Sequence, residues 1–157
     1  MNAAVRWLAS ISGLMLLVGG LSSCSGVRFD REWQAAKTVR HTGPAAAVAG
    51  AWEGRWVSQS SGHSGKLRCL VSPDAAGRTA IFRYEATWGD LFSGQFTLKC
   101  DLTPAGSGVW NVAGSKDLGK LLGGKFSHNG TVAEKEIKAQ YHSKADQGNF
   151  TLHRPKF

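Results

Sequence analysis

Prolines are few in this chain, 4 against 20 glycines, and the glycines are spread through aromatic segments. That balance excludes collagen and a plain linker and assigns the glycines to tight turns. Acidic residues are scarce as well, 11 Asp+Glu against 19 Lys+Arg. The longest apolar stretch, Trp7 to Leu21, is too short to cross ~30 Å of hydrocarbon comfortably, which takes ~20 residues. What is present is 42% hydrophobic and 10% aromatic residues, enough for a core, so a wholly disordered chain is excluded. At 157 residues there is room for one domain and hardly two.

The N-terminus reads as an export address. Arg6 is a weak positive start, and Leu14, Met15, Leu16, Leu17 and Val18 centre an uncharged run that ends in small residues. Its close, Leu21-Ser22-Ser23-Cys24, resembles the lipobox of bacterial lipoproteins. The resemblance implies that residues 1–23 are a signal peptide and that Cys24 becomes the first mature residue. Cys24 would then carry acyl chains such as palmitate, and two or more chains make membrane anchoring stable. Ser25 stands where an aspartate would signal inner-membrane retention, which implies the outer membrane. A plain signal peptide cut near Cys24, leaving an ordinary thiol, is the alternative. The mature chain would keep 18 basic and 11 acidic residues, +7.

Residues 24–50 read as a tether and linker. Phe29, Trp33, Ala36 and Val39 lie near helical spacing, with Asp30 placed to cap a short helix. Gly43-Pro44 and Ala45 to Gly50 follow as a small-residue linker. From Ala51 the period changes to two. Trp52, Gly54 and Trp56 alternate with polar or outward residues, as do Leu67, Cys69 and Val71. Ala80, Phe82, Tyr84, Ala86 and Trp88 form the longest alternation, and Phe96, Leu98, Cys100 and Leu102 the next. Further runs centre on Trp110, Phe126, Ile137 to Tyr141, and Phe150 with Leu152. Turn-forming clusters separate them, with Asn129-Gly130 and Ala133 to Lys135 as alternative turns before the Ile137 run. About eight short strands over residues 51–157, with no helix between them, predict an all-β domain of antiparallel strands. An up-and-down barrel is the first expectation because closure removes the edge strands. In such a meander Cys69 and Cys100 are separated by a strand, at least ~9.6 Å at ~4.8 Å per strand. A disulfide is limited to ~7 Å, so buried thiols are expected.

The segment Gly50-Ala51-Trp52-Glu53-Gly54-Arg55-Trp56 resembles the first strand of lipocalin-like (calycin) barrels, which carries a Gly-X-Trp motif. The resemblance implies an arginine from the last strand against that tryptophan, here Arg154 stacked on Trp52 or Trp56. Together with Gly62 to Arg68 and Asp117-Leu118-Gly119, the same segments are similar to a family of small bacterial exported proteins. That similarity implies no established activity.

Ten aromatics share the inward parity, and each large ring buries on the order of 150–250 Å². Eight strands leave an interior only just filled by side chains, so a solid core and a ligand cavity both remain open. Trp52, Trp56, Tyr84, Trp88 and Trp110 are the candidate ligand contacts, with Arg154 and His63 as orienting polar groups.

Catalytic signals are missing. Ser61-Gly62-His63-Ser64-Gly65 lacks the spacing and context of a nucleophile elbow. Lys116 to Lys125 lacks phosphate-loop spacing. His142 and His153 share a parity but make at most a pair, short of the three or four ligands a stable metal site needs. Nucleic-acid binding is disfavoured by export and by dispersed basic residues. The sequence therefore predicts no enzyme, no cofactor and no metal site. It predicts an outer-membrane-anchored lipoprotein whose barrel holds a small apolar or amphipathic ligand. The alternative is a filled barrel serving as a protein–protein or envelope interaction module, its partner unspecified.

Overall fold

The alternation beginning at Gly50 closes on itself. In the computed structural model, which describes residues 22–88, 92–117 and 124–156, eight antiparallel strands form a closed barrel in chain order. They are β1 (Gly50–Ser58), β2 (Ser64–Pro73), β3 (Thr79–Trp88), β4 (Phe92–Gly106), β5 (Val109–Asp117), β6 (Lys125–Val132), β7 (Glu136–His142) and β8 (Gln147–His153). The seam is the β1–β8 ladder, where Trp56 faces Phe150 and Gly54 faces Leu152. Gly54 is required there because a Cβ would run into the β8 backbone at Thr151 and Leu152. The expected up-and-down barrel is thus the fold, and closure leaves no strand edge unpaired.

Register settles the turn before β7. Asn129 and Gly130 lie inside β6, facing Ala113 and Val112, and the reversal falls at Ala133, whose N–H donates to the Glu136 carbonyl at 2.8 Å. His142 and His153 stand at opposite ends of the β7–β8 hairpin, so they do not form a pair.

The chain divides into two units after Glu32. Helix α1 (Ser22–Ala36) runs from the first into the second, and residues 1–21, with most of the expected signal peptide, lie outside the described residues. Asp30 sits within the helix, not at its start as a cap, because the helical run begins eight residues earlier. In the barrel unit, Trp33 is buried and its indole N–H donates to the Trp52 carbonyl at 3.2 Å. The Arg68 guanidinium lies 5.2 Å from the Trp33 ring.

The stretch read from composition as a linker is packed instead: Ala45, Val48 and Ala49 are buried. These small apolar residues cover the end of the barrel where β1 starts, against the β2–β3 turn at Gly77. Composition gives no sign of this, since burial here comes from a short turn and not from a periodic element. Above this plug the core is filled by Trp52, Phe82, Leu98, Val132 and Leu152, all essentially inaccessible.

Candidate functional site at the barrel mouth

At one end of the barrel β1, β3, β5 and β7 finish and β2, β4, β6 and β8 begin. The opposite end is closed by the plug and by Arg154. Its guanidinium lies 3.7 Å from the Trp52 ring, so of the two tryptophans open to it, Trp52 is the partner. Its Nη1 and Nη2 donate to the carbonyls of Ala49 at 2.7 Å and Ala47 at 2.6 Å. Burial holds its pKa below the ordinary guanidinium value. A cation occupied in this way fixes the closed end and is far from the mouth.

At the mouth the filling stops. A cavity of about 180 Å³ is lined by Trp56, Leu67, Ala86, Phe96, Phe126, Tyr141 and Phe150, with Ser143 and Asp146 at its rim. The alternation of β1, β4, β6, β7 and β8 delivers these rings inward. Phe96 and Phe126 meet edge to face at 5.4 Å, and Phe126 stacks on Tyr141 at 6.1 Å. Trp56 is held by its indole N–H, which donates to the Thr87 carbonyl at 3.1 Å. Gly65, opposite Trp56 in register, makes that position possible, because a Cβ there would lie 2.6 Å from the indole nitrogen.

The rim is polar. Ser58 Oγ donates to Asp146 Oδ1 at 2.6 Å and accepts from the Ser61 N–H at 3.0 Å. Tyr141 OH donates to Asp146 Oδ2 at 3.0 Å. Burial first, and then the hydrogen bond to Asp146, push the Tyr141 hydroxyl up to about 12, so it stays a donor.

Beneath the cavity lies a polar group in an apolar setting. Tyr84 stacks on Phe96 at 4.7 Å and meets Phe150 edge-on at 5.6 Å. Its hydroxyl is 3.1 Å from Nε2 of His128, which is also 3.4 Å from Cys100 Sγ. Nδ1 of His128 is buried without a partner among the described residues. Burial lowers the His128 pKa to about 4, so the imidazole is neutral at physiological pH. Cys69 and Cys100 are buried free thiols. Burial pushes Cys69 well above the ordinary thiol value and Cys100 up to about 12.

The sequence candidates therefore separate. Trp56 lines the cavity, and Tyr84 lies under its aromatic wall. Trp52 and Arg154 belong to the closed end, as does the half-buried Trp110 at the start of β5. Parity along a strand tells inside from outside but not height along the barrel, so it does not separate these three from the residues of the mouth. His63 is exposed on the β1–β2 turn. The side chain of Trp88, like that of Cys24, lies outside the described residues. Sequence reasoning missed Asp146, Ser58 and His128. The parity of His128 with Phe126 and Val132 was the available signal. No cluster of three or more His, Cys, Asp or Glu with metal-holding geometry exists among the described residues.

No protein-family model and no curated protein matches the chain. Among solved structures it is similar to a redesigned beta barrel, mFAP1, bound to DFHBI. The TM-score is 0.50 at 14% identity, over 72% of this chain and 100% of that one. It is also similar to EF1p2_mFAP2b bound to DFHBI, with a TM-score of 0.50 at 16% identity over 71% of this chain and 96% of that one. At these identities the likeness is one of fold.

Proposed function

We propose that this chain is an envelope lipoprotein whose barrel binds a small amphipathic molecule at its mouth. The observation that carries the reading is the aromatic cavity of about 180 Å³ with its polar rim. Pockets for drug-sized ligands span about 300–1,000 Å³, whereas an apolar cavity of about 150 Å³ takes benzene. The occupant is therefore a single ring or the end of a short chain, with its polar group at the rim. Apolar burial supplies the affinity, and the polar group sets the orientation. The structural neighbours, barrels bound to DFHBI, support small-molecule binding as a use of this fold. That support is by analogy of fold.

Anchoring through a lipidated Cys24 and residence in the outer membrane complete the proposal. They rest on the Leu21-Ser22-Ser23-Cys24 ending and on Ser25, whereas the place among small exported calycin-like barrels rests on Gly50 to Trp56, Gly62 to Arg68, Asp117-Leu118-Gly119 and the terminal segment with Arg154. The role is binding, not catalysis. The alternative, an interaction module without a ligand, draws on the solid interior between the plug and Tyr84.

The experiment is mass spectrometry of organic extracts from the full chain, purified under mild conditions, against a matched control protein. A stoichiometric small amphiphile in the extract supports the ligand reading. Empty extracts, with no binding of added apolar probes, favour the interaction module.

A further inference from the structure

The rim of the cavity carries a carboxylate that no cation among the described residues neutralises. Asp146 is bonded by two neutral hydroxyls, Ser58 Oγ and Tyr141 OH, one on each carboxylate oxygen. Among the described residues no cation pairs with it. An ionised carboxylate offers about four acceptor sites, so about two stay open after these bonds. The two hydroxyls hold the carboxylate in place, and it shares the cavity lining with Trp56, Phe96, Phe126, Tyr141 and Phe150. Aromatic faces are the negative ends of ring quadrupoles, and they attract cations, more so where water is excluded. Rings and carboxylate thus favour the same sign of ligand.

We propose that the mouth cavity selects a small organic ammonium ion, its apolar ring or chain among the aromatic walls and its cationic nitrogen against Asp146. The inference rests on the ligand-binding reading and narrows it to one chemical class. An anionic amphiphile such as a short fatty acid would bring its carboxylate against that of Asp146, and a neutral one would leave the carboxylate without a charged partner. The chain's +8 formal charge, including the exposed Lys144 two residues from Asp146, opposes cations at a distance. That repulsion is screened over about 8 Å at physiological ionic strength. The contact with Asp146 and the rings lies inside that range.

Three probes of one shape separate the possibilities: 2-phenylethylammonium, 2-phenylethanol and 3-phenylpropionate, titrated into the full chain at neutral pH with tryptophan fluorescence as readout. The ammonium ion is expected to bind at least about tenfold more tightly than the alcohol, and the carboxylate most weakly. Asp146→Asn should remove the advantage of the ammonium ion over the alcohol. The wild-type comparison stands without the variant, should that variant fail to fold. Equal binding of all three, or tighter binding of the carboxylate, overturns the ammonium assignment and leaves the ligand reading intact. Retention of the preference in folded Asp146→Asn overturns the role of Asp146. No binding of any probe overturns both readings.

Discussion

The guanidinium of Arg154 lies 3.7 Å from the ring of Trp52 and closes one end of the barrel. The contact joins the first strand to the residue just past the last, and the same side chain donates to the carbonyls of Ala47 and Ala49. One residue thus ties the seam to the plug. Truncation, Arg154→Ala, removes a cation–π contact and charge-assisted hydrogen bonds, and leaves carbonyls unpaired. The expected loss is on the order of 3 kcal/mol, read as a lower midpoint in urea unfolding. Probe affinity at the mouth should change less than about twofold, since Arg154 does not line the mouth cavity. A folded variant of unchanged stability would contradict the closing role of Arg154.

His128 makes stability depend on pH. Its imidazole ordinarily titrates near 6.5, and burial lowers that to about 4 in the folded chain. Between these values the unfolded chain binds the proton and the folded chain does not. Stability therefore falls as pH drops from about 6.5 to about 4, and is fully present above that window. The span corresponds to an order-of-magnitude loss of about 3 kcal/mol. His128→Gln should flatten the slope across this window in urea unfolding at a series of pH values. Identical slopes in both proteins would show that His128 is not held neutral.

Cys24 should behave unlike the other two cysteines. Cys24→Ala is expected to abolish incorporation of labelled palmitate and to release the protein from membranes. Membrane association without label in either protein would contradict lipidation. In the same variant Cys69 and Cys100, both buried and with pKa values raised by burial, should resist maleimide until the chain is unfolded, because the thiolate is the reactive form. Rapid labelling of the native chain would contradict their burial.

Strand periodicity was enough to read the barrel, because alternation from Trp52 to Leu152 needs only the side chain's face. Arg154 against a first-strand tryptophan followed from the resemblance to lipocalin-like barrels, and closure brings those terminal strands together. Three features needed more than parity. The height of Trp110 depends on register around the whole barrel, which no single strand records. The plug at Ala45–Ala49 has no period to detect. The rim depends on Ser58, at a strand end, meeting Asp146 across 88 positions of sequence. His128 was legible in principle, but a histidine of inward parity between Phe126 and Gly130 lacks an obvious partner until Tyr84 and Cys100 are seen beside it.

The central claim is that the mouth cavity holds a ligand, and filling that cavity tests it directly. The measurement is a tryptophan-fluorescence titration of the full chain with 2-phenylethanol, on the wild type and on Ala86→Phe, which places a ring in the cavity wall. Saturable quenching in the wild type, lost in a folded Ala86→Phe, is the predicted result. No saturable change in the wild type, or equal affinity in the filled variant, would contradict the account.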